Sequence, residues 1–94
     1  AFFCFVDRQM GRPQWSDLGM FLQTFMLLAR EAGLDTCPQE AWAIKQESVT
    51  SFVKAPDELM LFCGMAIGYK DKNAKINELR TERRPFEDWA IFVD

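Results

Sequence analysis

Leu27–Trp42 reads LLAREAGLDTCPQEAW: an apolar helix runs into a glycine, the chain turns, and a second helix is expected to start. Gly33 suits the position just past a helix C-terminus, because only glycine enters the left-handed region there without steric cost. Beyond it, Thr36 and Gln39 have the T-x-x-Q spacing of a capping box, and Pro38 falls in the first turn of the expected helix. The backbone N–H groups of Gln39, Glu40 and Ala41 would then have no intrahelical partners. A helix start of that kind can receive an electron-rich ligand. Most corners that combine a glycine and a proline nevertheless serve only to turn the chain.

Upstream, Phe2–Val6 is a continuous apolar run expected to form a short buried strand, followed by a polar connection over Asp7–Arg12. Pro13 opens a long helix expected to reach about Ala32, with Trp15, Leu18, Leu22, Phe25, Ala29 and Ala32 on one stripe. Met20, Phe21, Leu27 and Leu28 fill much of the remaining circumference, which predicts a helix buried on nearly all sides. Downstream, the second helix is expected from Gln39 to about Val53, ended by Lys54-Ala55-Pro56. A second buried strand lies within Glu58–Tyr69, and residues 70–84 read as a charged loop with Asn73 and Asn77 at turns. The apolar Trp89–Val93 is expected to be a terminal strand that adds to another sheet.

Ninety-four residues make one domain at most, with a modest core. For that size the chain is rich in apolar residues (49%) and aromatics, with nine Phe and three Trp, so a large interface or further chain is needed to cover them. Ala1 runs straight into the first apolar strand with no initiator Met, and the chain is expected to be part of a longer protein. The net charge of −3 gives a nucleic-acid role no support, and no stretch reaches transmembrane length. Cys4, Cys37 and Cys63 lack C-x-x-C spacing and read as reduced, mostly buried thiols of a cytoplasmic protein. Histidine is absent, which argues against a zinc site and against Ser-His or Cys-His catalysis.

Taken in order, the helix with Gln23-Thr24, the LLAREAGLDTCPQEAW corner, the strand LFCGMAIGY (Leu61–Tyr69), Arg83-Arg84-Pro85 and the tail FEDWAIFV resemble the C-terminal part of the FMN-dependent nitroreductase family. The resemblance covers nearly the whole chain, residues 1–94, as part of a single domain whose N-terminal half is absent. It implies an α+β (α/β) fold with a central, mainly antiparallel sheet flanked by helices, and a long buried helix at a dimer interface. It also implies FMN as cofactor, held by the backbone at Gln39, Glu40 and Ala41, with Pro38 against one ring face and Arg83 on the phosphate. Thr81 stands where some relatives place a lysine, and Ala41 where many have glycine. Trp42 is the aromatic residue expected in a substrate pocket. No side chain reads as an essential acid, base or nucleophile.

The activity so implied is hydride transfer from NAD(P)H through FMN to a nitroaromatic, quinone or related acceptor, in a homodimer with flavin sites between subunits. Two alternatives come from other classes. One is a non-catalytic flavin-binding or dimerisation module of the same fold, the reading that Ala41 and Thr81 keep open. The other is a small α/β interaction domain with no flavin.

Overall fold

A three-stranded antiparallel sheet frames the computed structural model, which describes residues 1–93; Asp94 lies outside the described residues. The strands are β1 (Phe2–Asp7), β2 (Asp35–Gln39) and β3 (Leu59–Gly68), in spatial order β1-β3-β2. The helices are α1 (Arg12–Glu31) and α2 (Gln46–Val53), with short 3-10 helices over Glu40–Lys45, Lys75–Glu78 and Phe86–Asp88.

The continuous apolar run of β3 suits a central strand covered on both faces. Its alternation sends Cys63 and Met65 toward α1, where they form the core with Leu22. Phe2, Cys4 and Phe25 pack around this cluster, and the Phe2 and Phe25 rings meet edge to face at 5.0 Å. Gly64, pointing the other way, lies under the Trp42 ring of the 3-10 helix Glu40–Lys45. The β1–β3 register runs Cys4 to Cys63 and then Phe5 to Leu61, so Phe62 is the extra residue of a bulge.

The long helix ends as the sequence predicts. Gly33 has φ +82°, its N–H donates to the Arg30 carbonyl at 3.0 Å, and the Leu34 N–H donates to the Ala29 carbonyl at 2.9 Å. This pair of bonds is the Schellman closure, which satisfies carbonyls that a helix end leaves open. At the other end Pro13 falls in the first turn, where its missing N–H costs nothing. Within the single chain, however, α1 fully buries only Leu22 and Ala29. Met20, Phe21, Leu27 and Leu28 remain more than half exposed, so burial on nearly all sides is met on one stripe alone.

Four further expectations are corrected. Residues 35–39 form strand β2 and not a helix start, so the Thr36–Gln39 capping box does not form. Pairing with β3 over Asp35–Gly68 to Gln39–Gly64 gives these residues ladder bonds that a lone helix cap cannot match. Pro38 is tolerated because β2 is an edge strand, where a missing N–H need not break a ladder. The single helix expected over Gln39–Val53 is therefore split into a 3-10 helix and α2, and α2 ends at Lys54 in the left-handed region (φ 55°). Finally, Trp89–Val93 forms no strand with the described residues, and Cys37 is exposed where a mostly buried thiol was expected.

Candidate functional site

The site-bearing corner follows from how β2 is anchored. At its start, the Asp35 carboxylate accepts from the Arg30 guanidinium at 2.8 Å and from the Lys70 N–H at 3.2 Å. One side chain thus joins the end of α1 to the exit of β3. The ladder then carries the chain to Gln39 opposite Gly64, where the strand gives way to the 3-10 helix. Glu40 and Ala41 open that helix, both exposed.

No side chain caps this start. The Gln39 carboxamide, which the capping box would have turned back on the backbone, instead accepts from the Trp42 indole N–H at 2.9 Å. The first backbone donors of a helical segment have no partner within it. Glu40 and Ala41 therefore offer backbone N–H groups on an exposed turn fixed to the sheet, and Pro38 is exposed just before them. Such a donor set suits an electron-rich, planar or anionic ligand, although the six-residue 3-10 helix carries little of the dipole of a full α-helix.

Trp42 sits where three elements meet. Its ring lies on Gly64 of β3 and meets Phe3 of β1 edge to face, with centroids 5.3 Å apart. It also lines an apolar hollow of about 270 Å³ with Phe3, Ser48, Val49 and Phe52.

Arg83 and Thr81 are brought together, but only with each other. The Arg83 guanidinium donates to the Thr81 hydroxyl and carbonyl and to the Glu82 carbonyl, the last at 3.1 Å. Among the described residues no hydrogen bond ties this pair to the Pro38–Ala41 corner. Nor do the described residues contain a cluster of His, Cys, Asp or Glu able to hold a metal. Cys4, directly opposite Cys63 in the ladder, has its thiol pKa raised, first by burial and then by the neighbouring Cys63.

The sequence pattern of the Nitroreductase family matches residues 5–69, from Phe5 within β1 to Tyr69, immediately after β3. The chain belongs to the nitroreductase family. It is 40% identical over 88 residues to the 4-nitrobenzoate reductase of Pseudomonas putida and 33% identical to the chloronitrobenzene nitroreductase of Comamonas testosteroni. Each alignment covers 94% of this chain and 39% of the relative, so the chain spans about two fifths of the length of these curated relatives. Among solved structures, the FMN and NADPH-dependent nitroreductase NfnB of Sphigopyxis sp. strain HMH superposes with a TM-score of 0.93 at 39% identity. That match covers 98% of this chain and 41% of the other.

In this member of the family the fold is the expected α+β arrangement of antiparallel sheet and helices. Sequence reasoning missed two features of the corner: strand β2, and the seating of Trp42 on Gly64. The G in LFCGMAIGY was the available signal for the second, since a glycine inside a strand marks a close approach by another group. Among the described residues no helix is long and apolar enough to cross a membrane.

Proposed function

We propose that the complete protein is an FMN-dependent NAD(P)H oxidoreductase of nitroreductase type. The observation that carries this reading is the uncapped, exposed backbone start at Glu40–Ala41, fixed to the sheet in a chain that shares 39% identity with an FMN and NADPH-dependent nitroreductase. Bound there, FMN would supply hydride chemistry, taking two electrons from a nicotinamide and passing them to a nitroaromatic, quinone or related acceptor. The chain's own residues bind and orient. Glu40 and Ala41 give main-chain donors that do not titrate, with Gln39 leading into them, and Pro38 gives a rigid apolar surface beside them. Arg83 supplies a forked, permanent cation for the phosphate, and the Thr81 hydroxyl beside it a weaker donor. Trp42 borders the side on which a flat substrate would stack. No acid, base or nucleophile of this chain is needed for hydride transfer.

Assembly belongs to the same proposal. The described chain exposes 8160 Å², against about 5,600 Å² for a compact monomer of its 10.9 kDa mass. Met20, Phe21, Leu27 and Leu28 of α1 contribute to that excess, as do Ile91, Phe92 and Val93. A second copy of the chain and the remaining part of the family domain would cover them, with the flavin site completed between subunits. NAD(P)H and a small acceptor would be the diffusible partners.

The test is a visible absorbance spectrum of the full-length protein before and after anaerobic NADPH or NADH. A yellow protein whose colour bleaches is the expected result. Yellow without bleaching would leave only the non-catalytic flavin-binding module, and no colour even with added FMN would end the flavin reading.

A further inference from the structure

We propose that Trp42 is a positioning residue: its indole, seated on Gly64 and hydrogen-bonded to Gln39, latches the Glu40–Ala41 backbone in the shape that receives the cofactor. Three contacts converge on this one ring. A Cβ built on Gly64 would lie 2.4 Å from Trp42 Cδ1, 2.9 Å from Cγ and 3.2 Å from Nε1, so the indole occupies space that only glycine leaves. Phe3 closes on it from β1 with rings 79° apart, and the Nε1–H donates to Gln39 Oε1 at 2.9 Å.

Gln39 and Trp42 bracket Glu40 and Ala41 in sequence, so their side-chain hydrogen bond closes a small ring around the two residues whose main-chain donors matter. No capping side chain does this work at the 3-10 start. The latch also ties the corner to all three strands, through Phe3 on β1, Gln39 at the end of β2 and Gly64 on β3. The ring is a rigid group bearing on a strand backbone whose neighbours Cys63 and Met65 are buried. A methyl at position 64 must therefore displace the indole, and Ala41 is the residue bonded directly before it.

The consequence for flavin rests on the function proposed above; the latch itself does not. The experiment is a double-mutant cycle in the full-length protein with Gly64→Ala, Trp42→Ala and the pair, alongside Gln39→Leu and its conservative control Gln39→Glu. Two readouts are taken: amide hydrogen exchange without flavin over residues 42–45, whose N–H groups bond within the 3-10 helix, and FMN affinity from quenching of flavin fluorescence. Overpacking by Gly64→Ala is expected to weaken FMN binding about tenfold and to speed exchange over residues 42–45. In the Trp42→Ala background the same Gly64→Ala change should add less than about twofold. Gln39→Leu should speed exchange, and Gln39→Glu should restore it.

Equal effects of Gly64→Ala with and without Trp42, or unchanged exchange over residues 42–45, would overturn the latch. If the natural protein takes up no flavin, the functional reading fails, and the exchange data alone decide the latch.

Discussion

Glu40 and Ala41 stand at the end of a strand laddered to β3 along its whole length, whereas Arg83 lies in a segment whose hydrogen bonds run to its own neighbours. The corner is fixed by Asp35 at one end of β2 and by Trp42 at the other. From Phe86 onward the tail is held by short-range turns and by Phe86 packing on Trp89 and Phe92, at 4.8 and 5.5 Å. Trp89, Ile91, Phe92 and Val93 are all at least 65% exposed. The radius of gyration, 16.6 Å, exceeds the roughly 13 Å of a compact domain of about 100 residues. One region is organised by the chain itself; the other leaves its apolar side chains exposed.

The largest effect that can break this contrast is a pair of truncations. Met65 is 1% exposed, and Met65→Ala is expected to cost about 2–5 kcal/mol of unfolding free energy in urea. Ile91 is 89% exposed, and Ile91→Ala should stay within about 0.5 kcal/mol in a monomer. If Ile91→Ala instead costs as much as Met65→Ala in the assembled protein, the tail is a buried part of the assembly and the contrast belongs to the free chain only.

Arg83→Ala comes next. Removing a charge-assisted hydrogen bond to a phosphate costs about 1.5–3 kcal/mol, so FMN affinity should fall at least about tenfold in a flavin titration of the full-length protein. Arg83→Lys should recover part of it, since a lysine keeps the charge but loses the fork. Unchanged affinity would remove Arg83 from the site and leave the corner alone.

The two regions also differ in how far the sequence disclosed them. The turn at Gly33 was legible because a left-handed residue after a helix is a local requirement that glycine alone meets cheaply. β1, α1 and β3 were legible from apolar runs and periodicity. β2 was not: Thr36, Pro38 and Gln39 spell a helix start locally, but the open edge of β3 decides the matter, and that edge lies far along the chain. The same distance hid the Trp42–Gly64 contact. In the tail the apolar pattern of Trp89–Val93 predicted a strand, yet a strand needs a neighbour, and the described residues provide none. The site residues were placed by family resemblance, since main-chain donors leave no mark on side-chain chemistry.

Gly33→Ala sharpens the legible half. No heavy atom outside its immediate neighbours lies within 4 Å of an added Cβ, so the penalty is the left-handed backbone alone, φ +82°. That is worth about 1–2 kcal/mol in urea unfolding. Gly33→Asn should cost less, because asparagine tolerates this region. A cost well above this range would mean that the turn contacts something outside the chain.

The smallest expected effect concerns Cys4, which puts a titrating group inside the ordered half. Burial, then the facing Cys63, raises its thiol above the ordinary value of 9.0, so the folded state favours the neutral thiol. The unfolded chain loses that proton first as the pH rises. In that window the unfolded state binds fewer protons than the native one, and stability must fall with increasing pH. The contribution is complete below the ordinary thiol value and is lost as the pH climbs through the raised one. Urea midpoints should therefore decline on the alkaline side in the natural protein, and Cys4→Ala should flatten that part of the decline while leaving the acid limb alone. Exposed Cys37, near the start of the corner, should react with a thiol reagent before Cys4 does at neutral pH. An unaltered alkaline slope in Cys4→Ala would show that Cys4 does not titrate differently in the folded sheet.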